Sequence, residues 1–208
     1  MNTSIKRDLL ESYDRNASLR DRSVLEKWKI DEMNMFLSYV GEEKRPSLLD
    51  FGAGAGHSGK FFQERGLDVT CADLSPEMVK ACANKGLKAR VSDFYSPGFE
   101  KGAFDAVWAM NSLLHVPKAD LLTVLRGISR ILKEDGLFYM GVYGGSNSEG
   151  VWEADTYEPK RFFAFYETEA LKAKVGEVFD VVRADIVPIE GTGPDFQSFV
   201  LRKRGSLS

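Results

Sequence analysis

The stretch that most limits what this chain can fold into is Ser47-Leu48-Leu49-Asp50-Phe51-Gly52-Ala53-Gly54-Ala55-Gly56-His57-Ser58-Gly59. An apolar run of strand length breaks into alternating glycines, which predicts a buried strand over 47–51, a glycine turn, and a helix opening near His57. Glycine lets backbone approach a ligand where a side chain would block it, and a helix start turns N–H groups outward. Together they make an anion and nucleotide site.

The sequence that follows supplies a sheet for this strand. A helix over 58–65 closes at Gly66, and a strand is expected over 67–74. Ser75-Pro76-Glu77 opens the next helix, with serine at the N-cap, proline at the first helical position and an acid in the first turn. Strands over 87–94, 104–111 and 136–143 frame a helix over 117–133 that carries Leu121, Leu125, Ile128 and Leu132 on one face. Alternation at this spacing predicts an α/β fold, a doubly wound and mostly parallel sheet with helices on both faces. Residues 144–166 interrupt the rhythm with Trp152, Tyr157, Phe162, Phe163, Phe165 and Tyr166, and are expected as an aromatic flap. A helix over 169–175 precedes two β runs, 178–187 and 196–202. The turn Glu190–Asp195 between them is too short for a parallel crossover, so the C-terminal strand pairs antiparallel and the sheet has seven strands.

Ahead of the sheet, apolar positions Leu25, Trp28, Phe36 and Val40 predict a helix over 24–40, opened by a capping box of Ser23 and Glu26. A shorter helix is expected around Ile5–Tyr13. The expectation is one domain over 1–208, with an N-terminal helical cap over 1–45 and the flap over 144–166. A formal net charge of −3 argues against a nucleic-acid partner. No run of about 18 apolar residues offers a membrane span. The first 20 residues hold no apolar core that would make a secretory signal, and two cysteines, Cys71 and Cys82, are too few for a disulfide framework. Reduced thiols and a cytoplasmic location are therefore expected. Two histidines, with no acid or thiol at ligand spacing, predict no metal.

Ligands of open α/β sheets bind beyond the carboxyl ends of the strands, and each predicted end here carries a distinct group. Asp73 falls about 20 residues after the first glycine, the spacing of an acid that grips ribose hydroxyls. Asp93 beside Phe94 can bond an adenine amino group while the ring stacks on the base. Gly54-Ala55-Gly56-His57-Ser58-Gly59 matches the dinucleotide fingerprint, so an NAD(P)-dependent oxidoreductase is an alternative. Two features oppose it. The strand meets glycine first at Gly52, which leaves His57 where the third fingerprint glycine belongs. Asp50 would repel a pyrophosphate and suits a ligand whose other end is positive.

Ribose and adenine joined to an ammonium and a sulfonium describe S-adenosylmethionine. Leu49-Asp50-Phe51-Gly52-Ala53-Gly54-Ala55-Gly56 and Ala72-Asp73-Leu74-Ser75-Pro76-Glu77-Met78 resemble the first landmarks of the class I S-adenosylmethionine-dependent methyltransferases, in particular small bacterial members with a methyltransferase-11 type domain. Phe104-Asp105-Ala106-Val107, Asn111-Ser112-Leu113-Leu114-His115-Val116 and Leu132-Lys133-Glu134-Asp135-Gly136-Leu137 are similar to the remaining ones. The resemblance implies a Rossmann-like sheet and S-adenosylmethionine as cofactor. It also implies backbone contact from Gly52, Gly54 and the glycine turn through Gly56, Asp50 toward the methionine ammonium, ribose on Asp73, Leu74 packed on adenine, adenine contacts from Asp93 and Phe94, and the carbonyl of Asn111 toward the ammonium.

Methyl transfer from a sulfonium has an activated leaving group, so positioning of the acceptor is the main task, with a base needed only where the acceptor must lose a proton. His115, Tyr143 and Tyr13 are the candidates for that base. Trp152, Tyr157, Phe163 and Tyr166 are candidate walls for a small, partly apolar acceptor, with core packing as the alternative. Glu153 and Asp155 leave room there for a cationic amine. A cofactor-binding sensor or an inactive subunit without transfer activity is the other class of function compatible with these residues.

Overall fold

The computed structural model describes residues 3–41, 46–189 and 195–205. Seven strands form one sheet: β1 (Ser47–Phe51), β2 (Asp68–Asp73), β3 (Lys88–Val91), β4 (Phe104–Met110), β5 (Leu132–Gly144), and the late strands β8 (Phe179–Val187) and β9 (Asp195–Lys203). A separate hairpin pairs β6 (Ser148–Val151) with β7 (Phe162–Phe165). The sheet order is β3-β2-β1-β4-β5-β9-β8, with β9 antiparallel to both neighbours and the other pairings parallel. The expected turn between the last two strands falls largely on residues 190–194, outside the described residues.

Helices α1 (Thr3–Asp21), α2 (Lys27–Val40), α3 (His57–Glu64), α4 (Pro76–Asn84), α5 (Leu121–Ile131) and α6 (Thr168–Gly176) complete the fold. One core packs the α5 and α6 side of the sheet, where Leu125, Ile128, Leu171 and Val175 meet Val107, Phe138 and Phe199. The other packs α2 and α3, where Met33, Phe36 and Phe62 meet Trp108 and Tyr139. Trp108 and Tyr139 stack with ring centroids 3.8 Å apart. Each face of a parallel sheet is covered in this way because its strands bury side chains on both sides.

The order reverses between β1 and β4: successive strands run outward from β1 through β2 to β3, and from β4 through β5 on the other side. That switch opens a crevice at the carboxyl ends of β1 and β4, where the ends of the flanking helices leave room.

The N-terminal cap differs from expectation in two ways. The first helix is longer than 5–13, spanning 19 residues, and is docked by Ala17 against Ala55, Met78 and Ala81. The second starts at Lys27 with Glu26 at its N-cap and no side-chain cap bond; Ser23 Oγ donates instead to the carbonyl of Arg20. Ser23 therefore closes the end of α1 and does not form a capping box. The helix before β5 begins at Leu121, later than the expected 117, because a single 3-10 turn at Leu113–His115 takes the chain off β4 first.

Candidate active site

The floor of the crevice is the glycine turn. Gly52 has φ 80, and a Cβ there would stand 2.3 Å from Cβ of Ser112, so the close approach of β1 to the end of β4 requires glycine. Ser112 Oγ donates to the Phe51 carbonyl at 3.0 Å and ties the two strand ends together. Four amides of the turn are already engaged within the protein. Gly52 and Ala53 donate to the Ala72 carbonyl at 2.8 and 3.1 Å, Gly54 to Asp73 Oδ2 at 2.8 Å, and Gly56 to the Ala53 carbonyl at 3.0 Å.

Asp50 is 2% exposed, and among the described residues its Oδ2 has no hydrogen-bond partner. Burial, reinforced by the charge of Asp73, pushes its carboxyl up to about 7 against the opposing pull of the Gly59 amide. Asp73 accepts from the Gly54 amide on Oδ2 and from the Ser75 amide on Oδ1 at 2.9 Å, and each oxygen keeps a further lone pair. Asp93 Oδ1 accepts from the amides of Tyr95 and Ser96 at 2.9 and 2.8 Å, while Lys6 of α1 pairs with its Oδ2. Burial raises that carboxyl, and Lys6 with the two amides more than offsets it, leaving Asp93 below the ordinary range. Phe94 packs on Phe51 at a centroid distance of 4.5 Å. Asn111 closes β4 in the left-handed region with φ 54, its amide donating to the Gly141 carbonyl at 2.7 Å. Asp50, Gly52, Gly54, Asp73, Leu74, Asp93, Phe94 and Asn111 all line one cleft with Tyr13, Arg20 and His115. Gly56 lies behind the turn, where a Cβ would meet Cys82 Sγ at 2.8 Å.

At the other end of the cleft, Tyr13 Oη lies 2.6 Å from His115 Nε2, and His115 Nδ1 lies 2.7 Å from the Phe162 carbonyl. A carbonyl only accepts, so Nδ1 carries the proton and Nε2 receives the Tyr13 hydroxyl. Burial, with the Arg161 and Arg20 charges adding to it, takes His115 down to about 3, and the imidazole is neutral. Burial likewise holds the Tyr13 phenol above its ordinary value despite both arginines.

Residues 49–140 match the family model described as "Methyltransferase domain". Over those residues the chain resembles a methyltransferase domain. Within that class, the chain is 29% identical over 135 residues to a ubiquinone biosynthesis O-methyltransferase of Xanthomonas oryzae pv. oryzae, covering 62% of this chain and 54% of that protein. It is 28% identical over 138 residues to sterol methyltransferase-like 3 of Botryococcus braunii, covering 62% of this chain and 33% of that one. The chain thus spans about half the length, or less, of these relatives. Among solved structures, the 1,6-didemethyltoxoflavin-N1-methyltransferase of Burkholderia thailandensis, crystallised with 1,6-didemethyltoxoflavin and S-adenosylhomocysteine, shares the fold with a TM-score of 0.76 at 21% identity over 96% of this chain and 87% of that one.

The cofactor of this methyltransferase class is S-adenosylmethionine, and the residues present fit it. The unpartnered, buried oxygen of Asp50 suits an ammonium, and Gly52 keeps the floor open to close approach.

Of the candidate bases, the structure brings Tyr13 and His115 together and sets Tyr143 apart. Tyr143 packs edge-on against Trp28 and Phe196 and is not part of the cleft lining. The aromatic segment forms the hairpin and its loop, and its four candidate walls stand behind the cleft. Phe163 packs on the His115 ring at 4.7 Å, Tyr157 lies 6.1 Å from Tyr13, Trp152 packs on Phe163, and Tyr166 joins the main core with Lys118 over its ring. Of the two acids of the segment, Asp155 is closed to a cationic amine, while Glu153 is exposed and lies outside the cleft lining. Glu153 pairs with Lys160, and Asp155, with its side chain 1% exposed, is held by Arg161 through Nε at 2.8 Å and Nη2 at 2.7 Å.

Sequence reasoning missed Lys6, Arg20 and Arg161. For the first two the signal was helical spacing: Lys6, Leu9, Tyr13 and Arg20 fall three, four and seven apart, on the face of α1 that covers the cleft. Arg161 reaches Tyr13 only through the hairpin loop, with Nη1 3.2 Å from the phenol, and no local pattern foretells it.

Proposed function

We propose that this chain is an S-adenosylmethionine-dependent methyltransferase that moves a methyl group to a small, partly apolar molecule by in-line displacement. The observation that carries the reading is the buried, unpartnered carboxylate oxygen of Asp50 at the head of the glycine turn. A nucleotide site built this way favours a cationic ligand over a pyrophosphate, which argues against the NAD(P) alternative.

When bound, the cofactor supplies the activated methyl group. Asp50 meets the ammonium together with the carbonyl of Asn111, Asp73 accepts from the ribose hydroxyls, and Leu74, Phe94 and Asp93 take the adenine. Lys6 pairs with Asp93 and so ties α1 to the adenine position. Tyr13 and His115 stand on the acceptor side, where the fixed tautomer of His115 holds the Tyr13 hydroxyl in one orientation. Positioning of this sort supplies up to about 7–11 kcal/mol of a barrier. A neutral imidazole held down to about 3 is a weak base at neutral pH, so the pair orients the acceptor rather than removing its proton.

Calorimetry with S-adenosylhomocysteine tests the cofactor reading. Asp73→Ala is expected to weaken binding by about tenfold or more, the scale of one charge-assisted hydrogen bond. Equal affinity in the two proteins would contradict the assignment. Turnover in a screen of small acceptors separates an enzyme from a sensor or inactive subunit.

A further inference from the structure

Arg20 stands at the end of α1, where His57 Nε2 lies 3.0 Å from its carbonyl, and its guanidinium divides its donors. Nη1 reaches the Tyr157 hydroxyl at 3.4 Å. Nε and Nη2 overhang the glycine turn, each 4.0 Å from where a Cβ on Gly54 would stand. That pair of nitrogens is the edge of the fork that takes a carboxylate in two parallel hydrogen bonds. Of the two basic side chains that line the cleft, Lys29 is paired with Glu26, whereas Arg20 has no carboxylate within ion-pair distance among the described residues. Asp73 is near enough to feel its charge, and the Asp73 oxygens accept from the Gly54 and Ser75 amides.

We propose that the Nε and Nη2 edge of Arg20 receives the α-carboxylate of the cofactor, and that this contact holds α1 down across the cleft, so that the acceptor side is assembled once the cofactor is in place. The inference rests on the methyltransferase reading above and adds a binding residue and an order of events to that same site. An α-carboxylate and its ammonium share one carbon. A ligand with its ammonium at Asp50 and its ribose on Asp73 lays the carboxylate over the turn between them, beneath Arg20. What the contact steadies is α1, whose apolar footing is small: Leu9, and Ala17 packed with Ala55, Met78 and Ala81. Its other ties to the body are polar, from Lys6 to Asp93, from Asp14 to Ser75 and from Asp21 to Lys85. Partly exposed contacts of this kind contribute little each, which makes the docked helix an element of low local stability. Tyr13 lies seven residues before Arg20, on the same face of α1, and its hydroxyl meets His115 Nε2 only with the helix docked. A ligand that binds the docked helix better than the undocked one shifts the population toward it, and the Tyr13 and His115 pair forms with it.

The probes are S-adenosylhomocysteine and its decarboxylated analogue, which keeps the ammonium, thioether, ribose and adenine and lacks only the carboxylate. Calorimetry on the wild type is expected to give about tenfold or more tighter binding of S-adenosylhomocysteine, the scale of a charge-assisted pair. Arg20→Gln should remove that preference by weakening S-adenosylhomocysteine alone, while Arg126→Gln on the exposed face of α5 keeps it. In a second arm, amide hydrogen exchange over Thr3–Asp21 is followed with each ligand at saturation. S-adenosylhomocysteine should slow exchange there about tenfold in the wild type, and neither the analogue nor S-adenosylhomocysteine on Arg20→Gln should match it. Should Arg20→Gln not fold, Arg20→Lys keeps the charge and loses the fork, and a reduced preference for the carboxylate is expected; an undiminished one contradicts the assignment. Equal weakening of both ligands by Arg20→Gln would mean that Arg20 acts through Asp73 and the ribose, and it overturns the inference, as does equal protection of α1 by the two ligands. In either case binding of S-adenosylhomocysteine leaves the methyltransferase reading standing. Failure of S-adenosylhomocysteine to bind the wild type overturns both.

Discussion

Asp50 is the residue whose chemistry is most exposed to test. Its folded-state carboxyl lies at about 7, above the ordinary value near 3.9, because burial and Asp73 penalise its charge. A raised carboxyl contributes stability that is fully present below the unfolded value and lost as pH rises through the folded one. The difference in unfolding free energy between wild type and Asp50→Asn should therefore shift against wild type from pH 4 to pH 8, as followed by urea denaturation; a flat difference would show that Asp50 ionises normally. An ammonium arriving beside this carboxylate lowers it again. Binding of S-adenosylhomocysteine near pH 6.5 should then release up to about one proton, read from calorimetry in two buffers of different ionisation heat. Gly52→Ala places a methyl 2.3 Å from Ser112 at φ 80, and a loss of about 1–3 kcal/mol in urea unfolding is expected. Asp50, Gly52 and Asp73 could be read from the sequence because each marks a strand end next to a turn, and local pattern fixes such positions. The engagement of the Gly52, Ala53 and Gly54 amides could not, since their partners, Ala72 and Asp73, come from the neighbouring strand.

At the scale of elements, α1 is the piece that turns a generic sheet into a closed site. It spans the cleft from Asp93, through Lys6, to Tyr157, through Arg20, and Asp14 joins it to the N-cap of α4 at Ser75. Ser75→Ala removes the acceptor for the Met78 amide at 3.1 Å and the Asp14 contact together, and about 1–2 kcal/mol of stability should go in a thermal or urea melt. An unchanged midpoint would mean that neither contact matters. The hairpin loop is held by a buried pair, so Arg161→Met should cost about 3–5 kcal/mol by leaving Asp155 charged and alone, with Arg161→Met/Asp155→Leu recovering much of it. The cap of α4 was legible in the sequence because serine, proline and an acid agree within three residues. The extent of α1 was not, because its stability comes from Ala17, Tyr13 and Lys6 meeting α4, the glycine turn and Asp93, contacts distant in sequence. The same reason hid Glu32 of α2, a buried carboxylate that accepts from Tyr139 at 2.8 Å and from Ser198.

The whole molecule is a sheet whose order reverses between β1 and β4, with a helix laid across the reversal. Alternating strands and helices made this architecture readable from the sequence, down to the antiparallel last strand, because connection length alone dictates it. What covers the cleft was less readable, since α1 and the hairpin meet there from the two ends of the chain. Among the described residues no helix is long and apolar enough to cross a membrane, and no group of three or more histidines, cysteines or acids could hold a metal. The central claim is that this cleft holds S-adenosylmethionine with its ammonium at Asp50 and its sulfonium toward Tyr13 and His115. A crystal structure with S-adenosylhomocysteine tests it most directly. The account predicts the amino group within hydrogen-bond reach of Asp50, the ribose on Asp73, and the sulfur facing the Tyr13–His115 pair. Ligand bound elsewhere, or bound with the sulfur turned away from that pair, would contradict it.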